Sequence, residues 1–329
     1  MAPYVSIVLT GRNDEYGLDF RGRFFRTLRF NCRELTACGV SFDIVFVEWA
    51  APRDRPLLVD LARDAVPELR AGSLFKGIVV DPQYQDVLSL NPRLEYLEFL
   101  AKNVGIRRAD GDYILTSNCD VFFGRTVLSV LARRALEPRV VYRAARHDLK
   151  MAVDTGSLDW NMLEDARNLD GRAHVLKPPL MGGGTGDFLL LDRASYHALG
   201  GFNEIYRVAR IGIDQNFVVK ALSEGMTVRD IGGPVYHVNH HGGYRLTRQS
   251  YKGREAEAFY GNINWHSKSV VYVNRPTWGL DKAPERSIGP GTSALQFSWE
   301  AVPPLVDLDR IVMPSGSQSA VSAETAHEP

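Results

Sequence analysis

The sequence contains few cysteines and no long hydrophobic run. Its three cysteines, Cys32, Cys38 and Cys119, are an odd number without metal-type clustering, which favours a reducing compartment. No stretch approaches the roughly 18 consecutive apolar residues of a membrane-spanning helix. The first residues, MAPYVSIVLT, lack a basic segment followed by an apolar one, unlike a secretion signal. The sequence therefore predicts a cytoplasmic protein without a transmembrane segment, with Cys32 as a core residue of a helix.

An excess of charge of either sign is also missing. Lysine plus arginine and aspartate plus glutamate number 39 each. This balance gives no bulk electrostatic reason to expect nucleic acid or an anionic membrane as a partner. A glycine-rich phosphate loop with a lysine is absent too, so any phosphate must be held by another local site. At 329 residues the chain is long enough for one large α/β domain or two smaller ones.

Strands and helices alternate over the first third of the sequence. Residues 4–9 (YVSIVL), 42–47 (FDIVFV) and 75–80 (FKGIVV) predict strands, because they are rich in β-branched residues. Apolar residues at spacings of three and four predict helices over 19–39 and 93–108. This order is typical of the opening of a nucleotide-binding sheet, whose strand ends face the ligand. The polar residues directly after the first two strands are Thr10, Gly11, Arg12, Asn13 and Glu48.

The stretch 111–124 (GDYILTSNCDVFFG) predicts a buried strand that stops at polar residues. Asn118 and Asp120 are two residues apart, so in an extended segment both side chains point to the same side. Their oxygen atoms are the kind of ligand that a magnesium-like cation takes, with phosphate and water completing its shell. An ordinary polar turn explains the same two residues, because Asx side chains bond nearby backbone amides. Both interpretations stay open on these residues alone.

The second half of the sequence is less regular. Residues 145–180 have no clear period, which is typical of a functional insertion or loop. Asp187 precedes a predicted strand over 188–191, and Asp214 lies where a helix begins. A late strand over 235–238 contains His237 and leads into the histidines that follow, His240 and His241.

Taken in this order, the motifs resemble those of GT-A-fold, family-two-like glycosyltransferases, which transfer a sugar from a nucleotide-sugar donor. The most specific match is 101–120 (AKNVGIRRADGDYILTSNCD), which is similar to the helix and strand before the family's Asp-x-Asp metal motif. VSIVLTGRND resembles the first strand and nucleotide-contacting loop, GIDQN resembles the helix start that supplies an acidic base, and YHVNHH resembles a late metal-binding histidine. Two positions depart from the pattern, since Asn118 replaces the first acid of the metal motif and Ile213 precedes Asp214.

The resemblance implies a GT-A-type, Rossmann-like α/β fold. Its mixed, mostly parallel sheet would be flanked by helices in one main domain over residues 1–283. The nucleotide-binding half would cover about 1–124 and the acceptor-side half about 125–283. A C-terminal extension over 284–313 would pack on this body, and the small, polar tail over 314–329 is expected to be disordered.

The resemblance also implies a role for each candidate residue. Asp120, with His237 or His240, would bind manganese or magnesium and so neutralise the leaving diphosphate. Asp214 would be the catalytic base of an inverting transfer, and Asp187 would contact donor sugar or acceptor. The expected contacts to the nucleotide-diphosphate sugar are Thr10, Gly11, Arg12, Asn13, Glu48, Lys102, Asn103 and Asn118. The acceptor would be a carbohydrate or another hydroxyl compound, and peripheral membrane contact stays open.

Each assignment has a simpler alternative. Asp214 fits a helix N-cap, because aspartate bonds the free amides there. The histidines fit satisfied residues of a polar loop, and Asp187 fits a turn. A non-catalytic nucleotide-sugar or glycan-binding protein would keep the sheet and tolerate loss of Asp214. A sugar-1-phosphate nucleotidyltransferase is less favoured, because residues 10–14 lack a glycine-rich, basic phosphate loop.

Overall fold

The computed structural model describes residues 2–14, 16–70, 74–92, 94–151, 153, 158–174, 185–205, 207, 212–240 and 274–304. The strands are β1 (Val5–Gly11), β2 (Phe42–Trp49), β3 (Phe75–Val80), β4 (Tyr113–Ser117), β5 (Val121–Phe123), β6 (Val140–Leu149), β7 (Leu169–His174), β8 (Phe188–Asp192), β9 (Thr227–Val238), β10 (Glu285–Gly289) and β11 (Thr292–Leu295). The helices are α1 (Phe20–Ala37), α2 (Leu58–Ala65), α3 (Gln83–Leu88), α4 (Glu98–Arg108), α5 (Arg125–Ala132), α6 (Trp160–Glu164), α7 (Arg193–Leu199) and α8 (Ile213–Ser223). Short 3₁₀ turns lie at Pro67–Arg70, Ala166–Asn168, Thr185–Asp187 and Trp299–Ala301.

These strands form one sheet in the order β10-β11-β3-β2-β1-β4-β8-β6-β9-β5, with β7 paired to β6. The strands β11, β3, β2, β1 and β4 pair in parallel. β8 is antiparallel to both β4 and β6, and β9 is parallel to β6. Most of the described strands therefore share one direction, which confirms the expected mixed, mostly parallel sheet. The carboxyl ends of β1, β2, β4, β6 and β9 and the amino end of β8 consequently lie at one edge of the sheet.

Apolar side chains alternate between the two faces of the sheet. Ile7 and Leu9 of β1 belong to the core on the α1 face, whereas Val8 belongs to the core on the α4 face. This alternation follows from the two-residue period of a strand. Gly105 of α4 allows the helix to approach β1 closely, because a Cβ there would lie 2.5 Å from Val8 Cγ1. Both faces are thus covered by helices, as a sheet of this type requires.

Helix α1 is amphipathic, as its spacing predicts. Phe24, Leu28, Cys32 and Leu35 are buried, and Gly39 follows the helix with a left-handed φ of 67°. Such a residue after the last turn satisfies helix carbonyl groups without the strain of a Cβ. Within the described ranges no helix is both long and apolar enough to cross a bilayer.

Residues 145–180 were expected to form an irregular insertion, and this expectation is wrong for much of that range. Strand β6 continues to Leu149, and α6 and β7 follow within the described residues. The sequence does not indicate this part of the strand, because it carries the polar residues Arg146 and Asp148, whose side chains contact Asp187 and His237. β9 likewise begins at Thr227, earlier than expected, and its register with β6 shifts between Arg143 and Ala145.

The chain after 284 adds two strands to the sheet. β11 runs parallel to β3, pairing Thr292 with Gly77 and Leu295 with Val80. Phe297 then packs on the buried Tyr84, with ring centroids 5.0 Å apart. A separate extension with a boundary at 283/284 stays a prediction. The expected tail over 314–329 lies outside the described residues, as does His241.

Candidate metal and base site

A turn at residues 118–120 joins β4 to β5 and directs Asp120 toward β9. Cys119 is buried beneath this turn, where its Sγ lies 3.3 Å from the carbonyl oxygen of Thr10. The Asp120 carbonyl accepts from the Val238 amide at 2.9 Å, which ties the turn to the end of β9. The segment contains a turn, as one of the two interpretations of these residues predicts, so the extended geometry is wrong. The side chains of Asn118 and Asp120 have different partners.

Asp120, His237 and His240 form a cluster with the donor atoms of a metal site. The Asp120 carboxylate oxygens lie 3.7 Å from His237 Nε2 and 3.5 Å from His240 Nε2. One ligand atom from each residue lies within 4.8 Å of the others. Ligand atoms about 2.1 Å from an ion are themselves separated by roughly 3–4 Å, so a small closure fits a cation. These are the three residues that the sequence associates with a metal.

Strand pairing explains this convergence. His237 of β9 is the register partner of Val121, the residue after Asp120, and it also pairs with Asp148 of β6. Burial alone raises the pKa of Asp120, but the nearby histidines and arginines lower it more, so that the pKa lies below its ordinary value. The cluster therefore offers an ionised carboxylate to a cation.

Asp148 fixes the orientation of the His237 ring. His237 Nδ1 lies 2.8 Å from Asp148 Oδ1, and Arg146 Nη2 lies 2.6 Å from the same oxygen. Arg146 Nη2 also lies 2.9 Å from His237 Nδ1, so this nitrogen has both a carboxylate and a guanidinium beside it. In the tautomer whose Nδ1 proton is donated to Asp148, the Nε2 lone pair faces Asp120. Burial alone raises the pKa of Asp148, but hydrogen bonds and charges from His237 and Arg146 lower it to about 2. Asp148 is therefore an ionised acceptor of the kind that orients metal-binding histidines.

We expect Asp148→Asn to weaken Mn²⁺ binding by about 10-fold to 100-fold, because the ring loses its orienting carboxylate. Titration of Mn²⁺ followed by electron paramagnetic resonance measures the effect. Asp165→Asn is the matched control, since Asp165 pairs with the exposed Arg167. Equal Mn²⁺ affinity in Asp148→Asn and wild type would contradict this role.

Asp187 connects Asn118 to Arg146. Its Oδ1 accepts from Asn118 Nδ2 at 2.7 Å and its Oδ2 accepts from Arg146 Nη1 at 2.8 Å. The Ser117 hydroxyl donates to the backbone carbonyl of Asp187 at 2.6 Å. Asp187 is only 2% exposed, so its carboxylate holds Asn118 and Arg146 from the interior of the protein. A contact with donor sugar or acceptor stays a prediction.

The fully buried Lys102 extends this network toward α8. Its Nζ lies 2.9 Å from Asn118 Oδ1, 3.0 Å from the Gly186 carbonyl oxygen and 2.8 Å from Glu98 Oε1. A Cβ on Gly186 would lie 3.6 Å from Asp214 Oδ2 and 3.9 Å from Lys102 Nζ. Asp214 and Lys102 therefore face each other across Gly186.

The N-cap alternative for Asp214 is wrong. Gly212 occupies the cap of α8 with a φ of 82°, and Asp214 lies inside the first turn. Burial raises the pKa of Asp214, and the Gln215 amide and the charges of Arg143 and Lys102 partly offset this rise. The side chain remains partly exposed. A carboxylate with a raised pKa and access to solvent has the properties of a general base.

No protein-family model matches the sequence, and the search of curated proteins gave no match. Among solved structures, the chain is similar to a mannosyltransferase from Pyrobaculum calidifontis in complex with GDP-Man and Mn²⁺, with a TM-score of 0.46 and 18% identity over 82% of this chain and 72% of that chain. It is also similar to GalNAc-T7 with UDP, GalNAc and Mn²⁺, with a TM-score of 0.48 and 12% identity over 81% of this chain and 51% of that chain. A third similar structure is the catalytic domain of Drosophila β1,4-galactosyltransferase 7 in complex with xylobiose, with a TM-score of 0.43 and 13% identity over 88% of this chain and 92% of that chain. At these identities the likeness concerns the fold alone.

Several expected nucleotide contacts have structural partners of their own. Asn103 is fully buried, donating to the Phe202 carbonyl at 2.8 Å and to Glu204 at 3.0 Å. Both Glu48 oxygens accept from amides at the start of α2, those of Leu58 at 2.8 Å and Val59 at 3.1 Å. Glu48 therefore caps a helix, and its contact with a nucleotide stays a prediction.

The loop after β1 is held by its own polar side chains. Arg12 pairs with Asp14 at 2.6 Å and with Glu95 at 2.9 Å. Asn13 donates to the Pro56 carbonyl at 2.8 Å, and the Thr10 hydroxyl donates to that of Val47 at 3.1 Å. A Cβ on Gly11, which ends β1, would lie 2.8 Å from the Phe20 ring. The four residues Thr10 to Asn13 thus lie at the expected edge, and their contacts with a ligand stay predictions.

We expect Glu48 to make the stability of the protein depend on pH. Burial raises its pKa from 4.5 to about 7, although the two helix amides lower it in part. Because the folded-state pKa lies above the unfolded-state value, the folded protein binds more protons between them, and the free energy of unfolding falls as pH rises through this interval. We expect a fall on the order of 3 kcal/mol. Denaturant unfolding at pH values from about 5 to about 8 measures it, and Glu48→Gln should remove this contribution. If the free energy of unfolding changed with pH in the same way in wild type and Glu48→Gln, the expectation would be contradicted.

The sequence did not indicate three residues of the site, which are Arg23, Arg146 and Asp148. Arg146 and Asp148 alternate along β6, and that two-residue period was the available signal. Arg23 of α1 lies 3.6 Å from Asp120 Oδ2 through its Nε. Its position on the buried side of a helix carries no sequence signal of its own, because arginine is ordinarily a surface residue.

Proposed function

We propose that this protein is a metal-dependent glycosyltransferase that moves a sugar from a nucleotide-diphosphate sugar to an acceptor hydroxyl. The main support is that two groups lie at one edge of an α/β sheet. They are the cluster of Asp120, His237 and His240, and the Asp214 carboxylate with its raised pKa. A network through Asn118, Asp187 and Lys102 spans the distance between them. Ligands of open α/β sheets bind at this edge.

Asp120, His237 and His240 would hold the cation in this reaction. The bound ion supplies charge neutralisation for the diphosphate that leaves the sugar. Two imidazole donors favour Mn²⁺ over Mg²⁺, which prefers oxygen ligands. Asp148 keeps the His237 ring in the orientation that binding requires, and Arg146 holds Asp148 and Asp187 in place.

Asp214 would take the proton from the acceptor hydroxyl. Its raised pKa makes the carboxylate a stronger base than an exposed aspartate, and its partial exposure gives an acceptor access. The positive charges of Arg143 and Lys102 partly offset the rise in its pKa. A single base opposite the leaving group implies inversion at the anomeric carbon.

The polar loop after β1 would bind the nucleotide. Thr10, Gly11, Arg12 and Asn13 lie at the same sheet edge as the metal cluster, because β1 and β4 pair in parallel. Asn118 would contact the diphosphate sugar from the other side of this edge, and the fully buried Lys102 would act through its hydrogen bond to Asn118. Asp187 would contact the sugar or the acceptor. The experiment below identifies the nucleotide base, the sugar and the acceptor.

Nucleoside diphosphate release from a panel of nucleotide sugars tests the proposal. Purified protein is incubated with Mn²⁺, each donor and a mixture of sugar acceptors, with water as the default acceptor. We expect release from one donor class that stops in the presence of a chelator. The absence of release and of binding for every donor would contradict the proposal, whereas binding without release would favour a non-catalytic nucleotide-sugar protein.

A further inference from the structure

Arg23 is a buried cation held against the metal cluster. Its side chain is 4% exposed and lies on α1, beside the loop that follows β1. Its guanidinium donates to the backbone carbonyls of Tyr16 at 2.9 Å and Gly17 at 3.2 Å, and also to that of Leu18. These three carbonyls hold the guanidinium in place, because withdrawing it would give up all three hydrogen bonds.

The remaining nitrogen of Arg23 faces Asp120. Its Nε lies 3.6 Å from Asp120 Oδ2, and this buried N–H has no hydrogen-bond partner among the described residues. Arg146, the other nearby arginine, is balanced by close ion pairs with Asp148 and Asp187. Within the described residues, Asp120 is the carboxylate that pairs with Arg23. One carboxylate thus faces a fixed cation on one side and two histidines on the other.

A divalent ion at the cluster must share the Asp120 carboxylate with this fixed positive charge. Two cations in a buried site repel each other, and the repulsion is stronger there than in water. Arg23 cannot rotate away to reduce it, since backbone carbonyls hold its guanidinium. The repulsion falls when an anion joins the site, because the anion then balances both cations.

We propose that Arg23 keeps the metal affinity of the Asp120 cluster low until a nucleoside diphosphate binds, so that metal and nucleotide bind together. This inference rests on the proposed function, since it concerns the same site. Thermodynamic linkage requires the effect to be mutual: the diphosphate raises metal affinity by the factor by which the metal raises diphosphate affinity. Arg23 contributes to that factor without contacting either ligand, so it is a positioning residue.

Mn²⁺ titrations followed by electron paramagnetic resonance test this role in wild type, Arg23→Gln and Arg23→Lys. Each protein is titrated alone and with UDP or GDP at saturation. We expect Arg23→Gln to bind Mn²⁺ alone about tenfold more tightly than wild type, and its gain in affinity from the diphosphate to shrink by about the same factor. Arg23→Lys keeps the charge and should retain the wild-type values.

The matched control is Arg26→Gln, which removes a charge from the same helix at a residue paired with the exposed Asp19. It should leave both Mn²⁺ affinities unchanged. Diphosphate oxygens that contact the ion directly also couple the two ligands, so the difference between wild type and Arg23→Gln isolates the contribution of Arg23. Wild type by itself gives a second measurement, because an absence of any coupling there would overturn the inference without a variant.

The direction in which Mn²⁺ affinity changes in Arg23→Gln separates this role from a purely structural one. If Arg23 only anchors the loop at 16–18, Arg23→Gln displaces Tyr16 and with it His240, whose rings are 5.3 Å apart, and Mn²⁺ binds more weakly. Weaker or unchanged Mn²⁺ binding by a folded Arg23→Gln would therefore overturn the inference and leave the proposed function standing. Failure of wild type to bind Mn²⁺, with or without either diphosphate, would overturn both.

Discussion

Asp120→Asn is expected to reduce metal-dependent release of nucleoside diphosphate by a factor on the order of a thousand. Asp120 supplies the carboxylate of the cluster, and an uncharged amide cannot neutralise a divalent ion in a buried site. The variant also leaves Arg23 without its carboxylate partner, which adds uncompensated positive charge against an incoming cation. Initial rates of diphosphate release at increasing Mn²⁺ concentration measure the loss.

The matched control for this change is Asp110→Asn. Asp110 pairs with Lys76 on the surface, and its side chain is 62% exposed, so the variant should keep wild-type rates. Circular dichroism of Asp120→Asn tests whether the fold is intact. A folded Asp120→Asn protein that releases diphosphate at the wild-type rate would show that the cation, if one is used, is bound elsewhere.

Asp214→Asn is expected to lower turnover by about 10²-fold to 10⁴-fold while Mn²⁺ and nucleotide affinities stay near wild type. The amide keeps the size of the side chain but cannot accept the acceptor proton. Because burial raises the pKa of Asp214, the turnover of wild type should increase with pH through a value above the ordinary range of an aspartate. Turnover measured against pH, together with Mn²⁺ binding, separates loss of the base from loss of the site.

Glu224→Gln serves as the control on the same helix, since Glu224 is exposed at the carboxyl end of α8. Its turnover and pH dependence should equal those of wild type. Unchanged turnover in Asp214→Asn would exclude the carboxylate as base. Binding by both proteins without turnover by either would favour the non-catalytic alternative.

The first part of the sheet could be predicted from the sequence because its strands are buried on both faces. The runs at 42–47 and 75–80 are mostly apolar, with Asp43 and Lys76 as exceptions, and they match β2 and β3 closely. Their helices follow from the three- and four-residue spacing of apolar positions. In such segments the local pattern and the final packing select the same residues.

The later strands could not be predicted in the same way. Polar residues of β6 face the site, so this strand lacks the apolar period that identifies β2. β10 is exposed, and among the described strands its partner is β11, which pairs with the distant β3. Their register depends on contacts between distant residues, and no local signal encodes those contacts.

The candidate site was likewise predictable in part from the sequence. The resemblance selected Asp120, His237 and His240, and the structure brings these three together. A turn at this point is one of the two interpretations that these residues leave open, and the sequence alone does not choose between them, because the choice depends on distant contacts such as that of Cys119 with Thr10. Glu48 illustrates another limit, since a polar residue at a strand end can cap the next helix as well as contact a ligand.

A thermal-shift measurement tests the central claim most directly: that this sheet edge binds a nucleoside diphosphate together with a cation. Wild type is heated with each common nucleoside diphosphate, with and without Mn²⁺. A ligand that binds only the folded state raises its stability, by about 2.7 kcal/mol at a hundred times its Kd. We predict that one nucleotide raises the melting temperature in the presence of Mn²⁺ and that the shift disappears with a chelator. No shift for any nucleotide with Mn²⁺, or an equal shift without the ion, would contradict the account.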